Sequence, residues 1–104
     1  MIYELRTYQL KMGGVPEYFE IAKTKLLPIL AEHGIKPVGF WTTEIGTLNE
    51  VVHLWPFADL NDRQQRWAKW KEDPRRIEIM TKLGQLIMSQ SNKILTPAEF
   101  SGLK

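Results

Sequence analysis

Two short stretches of the chain carry the side chains best suited to chemistry. Residues 41–57, WTTEIGTLNEVVHLWPF, include Glu44 and His53, and the opening stretch YELRTY includes Arg6. A histidine can act as a general base or as a haem ligand. An arginine can bind a carboxylate or a phosphate through its fork of N–H donors. We therefore take His53, Glu44 and Arg6 as the candidate catalytic residues.

The same side chains also have a purely structural interpretation. A buried His53 needs a hydrogen-bond partner, and Thr42 or Glu44 across a hairpin would supply one. Glu4, Arg6 and Glu44 would form an ion-pair network that fixes the strand register or a subunit interface. We favour this structural interpretation, because buried polar groups need partners whether or not a reaction takes place.

Large aromatic side chains provide a second set of candidates, for stacking on a small apolar or aromatic ligand. They are Tyr8, Trp41, Trp55, Trp67 and Trp70. Their spacing fits strands and a helix, so packing in the core is the simpler expectation.

The composition excludes several classes of function. The 104 residues are 43% hydrophobic and 25% charged, with a net charge of +2, no cysteine and two histidines. The basic run from Arg63 to Arg76 is largely neutralised by Asp59, Asp62, Glu72 and Asp73, which argues against a nucleic-acid surface. We expect no metal site, no cofactor, no nucleic-acid partner and no membrane span, in a soluble, cytoplasmic protein.

The spacing of apolar residues predicts the elements that must position these candidates. Alternation predicts strands at 2–10, 38–45, 50–57 and 86–95, and steps of three and four predict helices at 15–33 and from Asp59 onwards. Pro28 interrupts the first helix and Pro74 the second. The order β-α-β-β-α-β predicts an α+β, ferredoxin-like fold with a four-stranded antiparallel sheet and both helices on one face.

The two central strands form a hairpin, and its register decides which side chains share a face. A four-residue turn at 46–49 pairs Phe40 with Trp55 and Thr42 with His53. It also pairs Glu44 with Val51. Moving the register by one residue would set two glutamates opposite each other, which sheets avoid.

This register divides the hairpin into an aliphatic face and an aromatic face. We expect the aliphatic face, with Val52 and Leu54, to pack on the first helix. The face left open would carry Phe40, Thr42, Glu44, His53, Trp55 and Phe57, joined by Glu4, Arg6 and Tyr8. So much bare aromatic surface predicts a second copy of the chain, sheet against sheet, in a dimeric α/β barrel.

Three motifs carry a resemblance to a known family. They are YELRTY, GFWTTEIGTLNEVVHLWPFADLNDR, and Gln90-Ser91 leading to Ile94-Leu95-Thr96-Pro97. Together they resemble the NIPSNAP domain family over nearly the whole chain. The chain departs from the pattern at Pro56 and in lacking a tryptophan shortly after Asp73-Pro74.

The resemblance implies a dimeric α/β-barrel fold and a free-standing, bacterial-type member, with residues 1–104 as one NIPSNAP-like domain and a core of about 2–97. It implies no reaction, since the family has no established one. Two functions therefore stay open. One is a homodimeric binding or interaction module, which we favour. The other is a small-molecule enzyme, a cofactor-independent oxygenase or isomerase with its pocket between sheet and helices.

Overall fold

Four strands form one antiparallel sheet in a computed structural model that describes residues 1–104. The order across the sheet is β2-β3-β1-β4. The strands are β1 (Ile2–Leu10), β2 (Gly39–Thr42), β3 (Glu50–Phe57) and β4 (Ile87–Leu95). The predicted α+β, ferredoxin-like arrangement is confirmed.

The helices follow the predicted order and lie on one face of the sheet. They are α1 (Val15–Ile21), a π-helical turn (Ala22–Leu26), α2 (Leu27–Glu32), α3 (Leu60–Glu72) and α4 (Arg76–Gly84). The Asp59 side chain caps α3 by accepting a hydrogen bond of 2.7 Å from the Asp62 backbone N–H. Pro74 separates α3 from α4.

The interruption predicted at Pro28 takes the form of one wide helical turn. The Leu27 N–H donates to the Ala22 carbonyl, five residues back, so the turn before Pro28 is π-helical. Proline has no N–H for the carbonyl four residues back, and its ring collides with an ordinary α turn. Widening the turn gives the ring room, and the helix continues beyond it.

The predicted hairpin register is wrong by two residues. Phe40 pairs with His53, and Thr42 pairs with Val51. The reason is a loop of seven residues, 43–49, in which Asn49 has a φ of 56°. Its side-chain Oδ1 accepts a hydrogen bond from the Gly13 N–H, which ties the loop to the end of β1. A shift of two preserves the faces, because side chains alternate with period two.

The assignment of the two sheet faces is also wrong. The face that carries Trp55, Phe57 and Tyr8 packs against the helices and is buried, and the aliphatic face is the open one. The helices supply aromatic partners, as in the edge-on contact of Trp55 with Trp67 at 5.8 Å between ring centroids. The bare aromatic patch that predicted the dimer is therefore absent from the chain.

The open face is mainly aliphatic where β1 and β3 cross it. Leu5, Val52 and Leu54 are half-buried there, and Trp41 is 52% exposed. The Trp41 ring lies over Gly39, where any Cβ would collide with it. At one edge of the sheet, β4 is exposed along all but its first residue.

Candidate functional site

A cavity of about 310 Å³ lies between the sheet and the helices. The sheet contributes Arg6, Tyr8, His53 and Trp55 to its wall. The helices contribute Tyr18 from α1, Arg63, Trp67 and Trp70 from α3, and Arg76 from α4. This is the position in which the sequence predicted a pocket.

Glu4, which is hydrogen-bonded to three residues of the cavity wall, is completely buried. Arg63 donates to both of its carboxylate oxygens, at 2.8 Å from Nε and 3.0 Å from Nη2. Arg6 Nε donates at 3.0 Å and the Trp67 indole N–H at 3.1 Å. Asn92 adds a longer contact of 3.3 Å. One carboxylate thus joins β1, α3 and β4.

The charge on Glu4 is held in place by these donors. Burial raises the pKa of the Glu4 carboxyl, but the Arg63 hydrogen bonds and the charges of Arg6 and Arg63 outweigh burial, so the pKa ends below its usual range. The Arg6 guanidinium also stacks over the Trp67 ring at 4.4 Å and donates to the Tyr8 hydroxyl at 3.1 Å. Arg6 is therefore fixed at the cavity wall.

His53 is enclosed by aromatic rings. Phe40 stacks on its imidazole at 3.9 Å between centroids, and Tyr8 meets it edge-on at 5.0 Å. Its Nε2 lies 3.2 Å from the Tyr18 hydroxyl. The predicted partners, Thr42 or Glu44, are wrong, since the partner comes from helix α1. Sequence reasoning missed Tyr18 because its contact joins residues 35 positions apart.

His53 is neutral at pH 7. Burial, and after it the charge of Arg6, lower the pKa of its imidazole to about 3. Burial raises the pKa of the Tyr18 phenol, so this hydroxyl keeps its proton. Tyr18 can then donate to His53 Nε2, which leaves the imidazole proton on Nδ1.

Three buried polar atoms have no hydrogen-bond partner within the chain. They are His53 Nδ1, the indole Nε1 of Trp55 and Nε of Arg76. All three belong to side chains that line the cavity. Buried polar atoms in proteins nearly always have a partner, so three unpartnered atoms on the side chains of one cavity are an unusual feature.

The structure brings together six of the eight residues predicted as site candidates. Arg6, Tyr8, His53, Trp55, Trp67 and Trp70 all line the cavity. Glu44 is exposed in the hairpin loop, and Trp41 lies on the opposite face of the sheet.

Two arginines of the cavity wall were not among the sequence candidates. Arg63 precedes Trp67 by four residues, so the two share a helix face, and this spacing could have identified it. Arg76 lies in the stretch after Asp73-Pro74, where the family resemblance led us to expect a tryptophan. No local pattern marks Arg76 as a cavity residue.

The NIPSNAP family model matches residues 3–102 of the chain. The chain belongs to the NIPSNAP family. A NIPSNAP family protein of unknown function from Agrobacterium tumefaciens is 41% identical, with a TM-score of 0.95 over 100% of this chain and 94% of that one. The resemblance read from the motifs is confirmed.

Curated NIPSNAP relatives are longer proteins. The human protein NipSnap homolog 3A is 34% identical over 103 residues, which are 99% of this chain and 42% of the relative. The chain thus spans about two-fifths of the length of that NIPSNAP relative.

The NIPSNAP fold also occurs at very low sequence identity. An antibiotic biosynthesis monooxygenase matches with a TM-score of 0.67 over 94% of this chain, at 5% identity. At that identity, the likeness concerns the fold alone. None of the helices in the NIPSNAP chain combines the length and the apolar character needed to cross a membrane.

Proposed function

We propose that this NIPSNAP chain binds a small organic molecule with an apolar or aromatic body in the cavity between sheet and helices. The observation that carries the proposal is the set of three buried, unpartnered polar atoms on side chains of one cavity wall. The cavity size falls within the usual range for small-molecule sites, and aromatic side chains with a few polar groups are their usual lining.

Binding without catalysis is the form of this proposal that the electrostatics support. A general base works best when its pKa lies near the working pH. The pKa of His53, about 3, makes the imidazole a weak proton acceptor at pH 7. The other candidate, an oxygenase or isomerase that needs no cofactor, is favoured only by the unpartnered Nδ1–H of His53, a side chain of the cavity wall that could hydrogen-bond a developing negative charge.

The proposal can be tested with a neutral aromatic probe, 2-naphthamide. We expect its titration to move the backbone amide signals of cavity residues such as Tyr8 and His53 saturably in a ¹H–¹⁵N NMR spectrum. Ala68→Phe places a ring at an exposed position of the cavity wall on α3, and should abolish these shifts. Gln65→Phe puts the same ring at an exposed position of α3 outside the wall, and should retain them.

Shifts that survive Ala68→Phe, or a lack of shifts with this probe and with its charged analogues alike, would overturn the binding proposal. The cavity would then be a water-filled part of the core, with its polar atoms bonded to water. A probe with an acidic C–H bond adds the enzyme test. Exchange of that hydrogen in D₂O, faster than in buffer and lost in His53→Gln, would favour the isomerase or oxygenase over a binding protein.

We also propose that the chain forms a homodimer, sheet against sheet, in a dimeric α/β barrel. Its support is the aliphatic open face with Leu5, Val52 and Leu54, beside the half-exposed ring of Trp41. Apolar surface on a face that no helix covers is the kind that a second copy buries around a twofold axis.

The cytoplasmic location expected from the sequence stays a prediction, which fractionation of host cells would check.

A further inference from the structure

The cavity wall carries an excess of positive charge. Arg6, Arg63, Lys71 and Arg76 line it, and no aspartate or glutamate does. The one carboxylate that is hydrogen-bonded to these cations is Glu4, which accepts from Arg6 and Arg63. Four cations therefore share a single anion, and three positive charges stay without a counter-charge in the cavity.

Arg76 is the cation best placed to meet a ligand. It forms no side-chain ion pair, although its Nε is buried. The neighbouring Arg75, by contrast, forms ion pairs with Asp73 at 2.7 Å and with Glu32 at 3.1 Å. A buried guanidinium nitrogen without a partner is costly unless an acceptor reaches it.

The hydrogen-bonding character of the three unpartnered atoms favours a ligand with acceptor oxygens. The Arg76 Nε–H and the Trp55 indole N–H can only donate. His53 Nδ1 donates as well when the Tyr18 hydroxyl donates to its Nε2. Donor-only groups are satisfied by acceptor oxygens, and an ionised oxygen is the strongest acceptor. A neutral amide or an ammonium group would bring further donors to a wall already rich in them.

We propose that the cavity ligand is a small organic carboxylate, with an aromatic or apolar body against Trp55, Trp67 and Trp70 and its carboxylate on Arg76. This inference rests on the proposed binding function and names the chemical class of its ligand. Lys71, an exposed residue of the cavity wall on α3, adds attraction at longer range.

Three probes with one naphthalene body separate the charge of the ligand from its shape. They are 2-naphthoate, 2-naphthamide and 2-naphthylmethylammonium, measured by calorimetry at pH 7 and by the NMR shifts described above. We expect 2-naphthoate to bind about tenfold to a hundredfold more tightly than 2-naphthamide, the range for one hydrogen bond to a charged group. The ammonium probe should bind most weakly of the three.

Arg76→Gln should reduce the affinity for 2-naphthoate to about that of 2-naphthamide, and should weaken 2-naphthamide binding much less. Arg76→Lys should keep part of the preference, because it retains the charge and loses the forked donors. Lys69→Gln removes a charge from an exposed α3 residue outside the wall, and should keep the full preference for 2-naphthoate. Thermal melts of each variant check that it is folded.

The outcomes distinguish the two proposals. Equal binding of 2-naphthoate and 2-naphthamide by the parent protein would overturn the carboxylate inference and leave the binding function standing. Failure of all three probes would overturn the binding function itself. A full preference for 2-naphthoate in folded Arg76→Gln would remove Arg76 from the site. If Arg76→Gln does not fold, the comparison of probes on the parent and on Arg76→Lys still decides the matter.

Discussion

The imidazole of His53 can be protonated in water, but its surroundings in the folded protein oppose protonation. His53 is 2% exposed and packed against Phe40 and Tyr8, and the positive charge of Arg6 acts on its imidazole. Protonating it in the folded protein would place a cation among aromatic rings and beside another cation. The folded protein therefore keeps His53 neutral at a pH where an unfolded chain would charge it.

This difference predicts how stability changes with pH. The unfolded chain takes up a proton at His53 below the ordinary pKa of 6.5, whereas the folded protein does so only near 3. The free energy of unfolding should fall as the pH drops from 6.5 towards 3, by up to about 1.4 kcal/mol per pH unit from this residue. Urea denaturation at several pH values, in the parent and in His53→Gln, measures it. Parallel stability curves for the two proteins would show that His53 titrates normally in the fold.

At the scale of single residues, the sequence predicted the cavity better than it predicted contacts. The alternation of side chains along two strands predicts that one face of the sheet carries four of the cavity residues, which are Arg6, Tyr8, His53 and Trp55. Their partners could not be predicted in this way, because Tyr18 and Arg63 lie on helices whose placement depends on packing. The prediction that Glu44 joins this set failed because the hairpin loop begins before it.

At the scale of elements, Glu4 is the link between the sheet and α3. It lies on β1 and accepts from Arg63 and Trp67, which occupy one face of α3. Removing one partner from a buried ion pair leaves the other charges without compensation and is strongly destabilising.

We therefore expect Glu4→Gln to lower the free energy of unfolding by about 3 kcal/mol. This value is at the low end of the range for buried pairs, since both guanidinium groups keep some contact with water. Glu44→Gln makes the same chemical change at an exposed residue and should alter stability little. Urea denaturation at pH 7 compares them, and equal stabilities would mean that Glu4 does not hold α3 to the sheet.

The bounds of the elements could be predicted more fully than their orientation. β3 runs from Glu50 to Phe57 as expected, because alternation with aromatic and β-branched residues is strong there. The same alternation cannot tell which face meets the helices when both faces are apolar. The aromatic face meets the helices because it packs against Trp67 and Trp70 of α3, and the pattern of a single strand does not show this packing.

At the scale of the whole molecule, the proposed dimer depends on the open face of the sheet. Val52 is half-buried at its centre, between Trp41 on β2 and Thr7 on β1 in the strand register. A charge at this position would be desolvated in a sheet-to-sheet interface but would meet water in a monomer.

We expect the parent protein to elute with twice the mass of one chain in size-exclusion chromatography with light scattering. Val52→Glu should elute as a folded monomer. Ile45→Glu introduces the same charge at a loop residue that is 93% exposed, and should stay dimeric. A monomeric parent at micromolar concentration, or a dimeric Val52→Glu, would rule out an interface on this face.

The two edge strands of the sheet determine whether further chains can add to an associated pair. An unpaired edge strand is a template to which further strands can add without limit, which is how fibrils grow. Here β2 has only four residues, and β4 carries a polar run from Ser89 to Lys93 with a charge at its end. A short strand and a charged, polar strand are two separate ways of discouraging such growth. Chains that meet through their faces should thus stop at a closed pair, and concentrated solutions should stay clear of aggregates.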